Sequence, residues 1–135
     1  MALQLSVAVR NAMLDAIETT IGTSAVLKIR TGAPPASVAT ADSGTVLATL
    51  TLPSDWLAAA SGGSKAKSGT WEDASADAAG TAAHYRIYAS DGTTAHLQGT
   101  VTATGGGGDL TVDNVVFAAG QSFTVTSYSW TAANS

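Results

Sequence analysis

The sequence predicts a mainly β fold: an antiparallel β-sandwich or jelly-roll-like domain carrying one N-terminal α-helix. Three observations lead there. Ala, Thr, Ser and Gly supply 74 of the 135 residues. Hydrophobic alternation with period two recurs from residue 25 onward, between turn-forming clusters. A single stretch of helical periodicity precedes it. The length suits one domain, residues 1–135, with the helix at about 6–21 and the β domain at about 25–131.

The helix opens at Ser6, whose hydroxyl suits an N-cap, and closes at Gly22, a natural C-cap. Val9, Met13, Ala16, Ile17 and Ile21 recur at steps of three and four and form an apolar stripe, which leaves Arg10, Asn11, Asp15 and Glu18 on the expected wet side. Such a stripe either docks the helix on its own domain or packs as a swapped arm on a neighbouring subunit.

Ala25–Thr31 alternates Val26, Lys28 and Arg30 against Leu27 and Ile29, a strand with one wet face, and Gly32-Ala33-Pro34-Pro35 ends it. Thr45–Leu52 alternates again until Pro53, after which Ser54–Leu57 reads as a short helical turn. Residues 58–81 are small and polar, loosest at Ser61–Ser64, with a short strand expected at Ser68–Glu72. The acidic loop Glu72, Asp73 and Asp77 follows, a surface for hydration or a basic partner.

Ala82–Val101 is the clearest local signal, two alternating runs around Ser90-Asp91-Gly92. A three-residue loop with Gly in the left-handed position pairs Ala89 with Thr93. Tyr85 then faces Leu97 and Ile87 faces Ala95, while the other side pairs Arg86 with His96 and His84 with Gln98. Gly105–Gly108 reads as a flexible connection. Asp109–Phe117 and Gln121–Trp130 complete six or seven strands, with Phe123 and Val125 inward and Thr124 and Thr126 outward.

Composition weighs against chemistry. Only 16 residues are charged, the net charge is −4, and there is no cysteine, which removes disulfides, thiolate metal sites and thiol catalysis. The basic residues Arg10, Lys28, Arg30, Lys65, Lys67 and Arg86 are scattered, which argues against a nucleic-acid partner. No basic region precedes the N-terminal apolar run, and no stretch reaches the roughly 18 apolar residues of a membrane span. The expectation is a protein made in the cytoplasm, with no membrane partner.

Each candidate site has a plainer reading. His84 and His96 share one hairpin face, but that face offers no carboxylate to complete a metal site; they read as wet-face histidines or as protonatable interface residues. No G-x-S-x-G occurs. Gly105–Gly108 lacks the Lys-Ser/Thr of a phosphate loop, and Asp109–Asp113 has the odd-position spacing of a calcium loop without Gly at its sixth position or Glu at its twelfth. Trp56, Trp71, Trp130, Tyr85, Tyr88 and Tyr128 read as core fillers, with a sugar-stacking platform as the rival. No catalytic, cofactor-binding or metal-binding residue is assigned.

Several stretches carry a resemblance: Ile17–Thr23, Leu52–Leu57, Tyr85–Tyr88 with Asp91–Thr94, His96–Val101 running into Gly105–Asp109, and Gln121–Val125. Together, over about residues 17 to 130, they resemble a family of small virion proteins of tailed bacteriophages. The resemblance implies a minor structural component of the virion, similar in size and β-rich character to capsid decoration (cement) proteins. Such a protein is synthesised in the bacterial host cytoplasm, has no enzymatic activity or cofactor, and stabilises the head by bridging capsid subunits. Its partners would be itself, as a trimer or dimer, and the major capsid protein or other virion proteins, through the helix or an outer strand. A tail, neck or head–tail connector component, or a carbohydrate-binding module of a host-recognition appendage, are the alternatives.

Overall fold

The computed structural model describes residues 3–132. The fold is mainly β with one helix, as expected. Helix α1 spans Val7–Ile21. Eleven short strands follow among the described residues: β1 Val26–Arg30, β2 Val46–Thr51, β3 Ser64–Ala66, β4 Trp71–Asp73, β5 Gly80–Thr81, β6 His84–Tyr88, β7 Ala95–Ala103, β8 Leu110–Val112, β9 Val116–Phe117, β10 Phe123–Val125 and β11 Ser129–Thr131. A curled five-stranded sheet runs β2-β1-β6-β7-β8, and three two-stranded ladders, β10-β4, β11-β3 and β5-β9, surround it.

The helix ends are those the sequence predicts. The Ser6 hydroxyl accepts from the Val9 amide, and Gly22, at φ 92°, closes the last turn by donating to the Glu18 carbonyl. Elsewhere the elements are finer than expected. Asp109–Phe117 divides into β8 and β9, and Gln121–Trp130 into β10 and β11. Residues 58–81 supply β3 and β5 in addition to β4. Ser54–Leu57 forms a bend instead of a helical turn, because Leu57 is held in a bridge to Lys67.

Alternation places Leu27 and Ile29 of β1 between Leu50 and Ala48 of β2 on one side and Ile87 and Tyr85 of β6 on the other. This face packs into one core with Trp56, Trp71, Phe117, Val125 and Tyr128. The aromatic side chains fill it in tilted and edge-to-face pairs: Trp71 lies tilted 5.9 Å from Trp56 and 5.5 Å from Tyr128, and Tyr85 meets Tyr128 edge to face at 5.7 Å. The Tyr85 and Tyr128 hydroxyls hydrogen-bond to each other. Burial pushes the Tyr85 phenol up to about 12 and Tyr128 higher still, so both stay neutral.

The β6–β7 hairpin keeps its predicted faces but not its predicted pairs. Ile87 lies opposite Leu97, Arg86 opposite Gln98 and His84 opposite Thr100, a slip of two residues, with a bulge after Ile87. Asp91 is the reason. Its carboxylate accepts from the amides of Thr93 and Thr94 and from the Thr94 hydroxyl, and Ala89 donates to the Thr94 carbonyl, so the loop has four residues rather than three. A slip of two preserves side-chain parity, which is why the apolar face survives.

The sheet is also not wholly antiparallel. β8 pairs parallel to β7, Val101 opposite Leu110 and Ala103 opposite Val112. Parallel neighbours ordinarily need a crossover of about a dozen residues; here residues 104–109 suffice. Gly105–Gly108 therefore takes a defined path, with Gly106 donating to the Ala103 carbonyl and Gly108 to the Thr102 hydroxyl. A Cβ on Gly108 would stand 2.8 Å from Thr102 Oγ1 and 2.9 Å from its backbone nitrogen. Gly108→Ala is expected to cost about 1–3 kcal/mol, as overpacking does. It should also speed amide exchange at Leu110–Val112, read by urea unfolding and hydrogen exchange.

Candidate functional site

A lysine ammonium is strongly hydrated, and burying one demands anionic partners. Lys65 projects from β3 with only 2% of its surface exposed. Its Nζ donates to the Ala58 carbonyl at 2.9 Å and to Asp15 Oδ1 at 2.7 Å, with Glu18 Oε2 at 3.1 Å. Both carboxylates come from α1. Burial alone would lower the Lys65 value, but its bonds to Asp15 and Glu18 outweigh that and raise it. Asp15 is held below the ordinary carboxylate range, chiefly by its bond to Lys65 and then by the Ala60 amide.

Further polar contacts dock the same side of the helix. Glu18 Oε1 accepts from the Leu57 amide, Asn11 Oδ1 from the Gly63 amide, and Arg10 Nε donates to the Ala132 carbonyl. Trp56 Nε1 donates to the Gly22 carbonyl at the helix end. Thus Arg10, Asn11, Asp15 and Glu18, expected to be wet, face the domain beside buried Leu14 and Ile21. The helix is rotated by about a quarter turn from the expected orientation. Of the predicted stripe, Ile21 is buried and Ile17 half-buried, whereas Val9 is 46% and Met13 52% exposed. Ala8, Ala12, Ala16, Thr19 and Thr20 are exposed with them, so the outer face of α1 carries no charge. Beside it, Met13, Ala16, Ile17, Thr20 and Ile21 line a groove of about 310 Å³ with His96 and Leu97 of β7.

The second polar cluster lies on the sheet face opposite the aromatic core. Arg30, His84 and Arg86 were expected to line a wet face, yet all three are buried beside Tyr88, because residues 32–44 fold across them. Asp42 in that segment accepts from Arg86 and Tyr88 on Oδ1, at 2.8 and 2.7 Å, and from Arg30 on Oδ2 at 2.8 Å. Arg86 also donates to the carbonyls of Ser37 and Thr40 and to Gln98 Oε1, and Gln98 donates to the Pro35 carbonyl. Burial would raise the Asp42 carboxyl, but the Tyr88 hydroxyl and the two guanidiniums prevail and hold it low.

His84 Nδ1 meets the Gly32 carbonyl at 2.7 Å, so this nitrogen carries the proton and donates. Burial, aided by Arg30 and Arg86, lowers its value despite the Gly32 bond, and it remains a neutral structural residue. His96 stands apart at the hairpin bulge and lines the α1 groove, so the two histidines are not the paired wet-face residues expected. In the acidic loop, Asp73 accepts from the Thr49 amide and Asp77 from the Thr49 hydroxyl, closing the free edge of β2; Glu72 is exposed. Asp109 accepts from the amide and hydroxyl of Thr100. Trp56, Trp71, Tyr85, Tyr88 and Tyr128 are buried and Trp130 half-buried, so they fill the interior and do not make a stacking platform. Among the described residues no group of three His, Asp or Glu side chains is placed to hold a metal ion.

Compared with known protein families, curated proteins and solved structures, the chain has no match. The site residues that the sequence reading passed over are Asp42 and Lys65. Each had a signal: Asp42 is the sole acid between β1 and β2, and Lys65 and Lys67 are the charges of a segment, residues 58–69, otherwise of Ala, Ser and Gly.

Two outcomes follow. Lys65→Met is expected to destabilise the fold by roughly 2–3 kcal/mol, since it takes the lysine donor from the Ala58 carbonyl and the counter-charge from the helix carboxylates. Far-UV circular dichroism and urea unfolding check this. Asp42 titrates lower in the folded than in the unfolded chain. Its contribution is therefore full above about pH 4, the unfolded value, and is lost as pH falls through the depressed one. Asp42→Asn should be markedly less stable than the parent at neutral pH, and the gap should close toward pH 2 in paired urea titrations.

Proposed function

We propose that this protein is a non-enzymatic structural component of a tailed-bacteriophage virion: a capsid decoration (cement) protein that stabilises the head by bridging capsid subunits. The observation that carries the reading is the rotated helix. A surface helix normally turns its charges to water; α1 turns Arg10 and Glu18 toward the domain, ties the half-exposed Asp15 to Lys65, and offers solvent an uncharged face with Val9 and Met13 exposed. Such a face suits coverage by protein. The resemblance of residues 17 to 130 to small phage virion proteins supplies the setting.

Two further features support a packing role. Many clustered titratable groups, among them Asp15, Glu18, Asp42, Lys65 and Arg86, are engaged in internal bonds that hold elements together. The aromatic residues that a sugar-binding reading requires at the surface are largely interior. In this reading the energy of decoration comes from apolar contact, at about 25 cal/mol per Å² buried, repeated over many symmetry-related copies.

Cryo-electron microscopy of purified particles tests the proposal by position and copy number. Copies on the order of hundreds on the shell are the expected result, following the capsid symmetry. A ring of about six or twelve at the neck or tail, or absence from the particle, would replace the decoration reading.

A further inference from the structure

We propose that the outer face of α1 is a self-association surface, on which a second copy of this chain packs its own α1 antiparallel across a two-fold axis. This deepens the structural reading above by naming the surface and the partner.

The face is self-complementary in the way a two-fold contact requires, since each patch must fit itself. Val9 forms a projection toward the N-terminal half of the helix, and Met13 lies at its middle. The receiving shape lies toward the C-terminal half: small Ala16, then Thr20, bordered by Ile17 and by Leu97 and His96 of β7. A parallel pair would set projection against projection. An antiparallel pair centred near Ala12 and Met13 carries Val9 of each copy onto Ala16 and the groove of the other, and satisfies both ends at once. Ala12 and Ala16, with only a methyl each, let the two backbones approach closely.

Charge selects where two copies can meet. The chain carries a net −4, and Asp55, Glu72, Asp77, Asp91, Asp109 and Asp113 are exposed elsewhere on the surface. Two copies meeting through those regions would oppose like charges. The α1 face has none to oppose.

The area sets the strength. A 15-residue helix is about 22 Å long and about 11 Å across, so covering half of it removes roughly 400 Å² per copy. With Leu97 and His96 added, the pair approaches the roughly 1,000 Å² at which specific interfaces begin. The dimer is therefore weak and reversible, formed at high local concentration.

Sedimentation equilibrium of the free protein, from micromolar to near-millimolar, is the test. The parent is expected to pass from monomer to dimer across the series. Met13→Glu places two carboxylates beside the two-fold axis and should weaken association at least about tenfold, with an unchanged circular dichroism spectrum because Met13 is exposed. Val9→Lys and Ala16→Glu should each weaken it alone, and mixing the two variants should restore a dimer containing one of each, since residues 9 and 16 meet across the antiparallel pair. A parent that stays monomeric throughout, a folded Met13→Glu that associates as the parent does, or a mixture that fails to recover would each overturn the proposal. The measurement uses no capsid, so its failure leaves the decoration reading to its own test on particles.

Discussion

A buried ammonium needs counter-charge, and Lys65 obtains it from α1. That one requirement fixes the rotation of the helix about its own axis. Leu14 and Ile21 are too few to anchor 15 residues by apolar contact alone. Asp15 and Glu18 have to reach Nζ, Asn11 then lies over the Gly63 amide, and Arg10 over Gly63 itself, where a Cβ would stand 2.2 Å from the guanidinium. With the polar side committed inward, Val9, Met13 and Ala16 have nowhere to go but outward. The exposed face is thus a consequence of interior electrostatics, not a surplus of hydrophobic residues.

The same logic builds the other side of the molecule. The sheet has an aromatic face and a cationic face, and neither can meet water unaided without loss. The two-stranded ladders cover the first by hydrophobic burial. The second is covered by residues 32–44, small and largely exposed, held by bonds to Arg30, Arg86 and Gln98. Replacing an apolar lid with a polar one keeps the protein's exterior small and hydrophilic there. It also places the stability of that layer in the keeping of a few donors and one carboxylate.

How much of this was legible in the sequence follows from which interactions are local. Helix limits were readable because Ser6 and Gly22 act on their own neighbours. Strands β1, β2, β6 and β7 were readable because alternation is a local pattern, and so were the inward Phe123 and Val125. The helix face was misread because apolar spacing says nothing about a lysine some 50 positions away, the separation from Asp15 to Lys65. The cationic face was misread as wet because its cover is a segment of Ala, Ser and Thr with no hydrophobic signature. The hairpin pairs shifted because Asp91 bonds two successive amides and lengthens the turn, a detail below the resolution of alternation. The parallel return to β8 had its sign in four consecutive glycines, of which Gly106 and Gly108 approach Thr102 closely while Gly105 and Gly107 take positive φ.

Asp42 has one further consequence, in time rather than in space. Its Oδ2 binds Arg30, 12 residues earlier in the chain, while its Oδ1 binds Arg86, 44 residues later. Closing a short loop costs less entropy than closing a long one, so the nearer pair can form first. As the chain leaves the ribosome, β1, β2 and the segment between them are complete before β6 exists. The carboxylate can then be half-occupied, with one oxygen turned toward the edge of β1 where β6 will pair. Arg86 would then enter a partner already oriented by Arg30. The ion pair that closes the finished layer would, on the way there, serve as a guide for strand order.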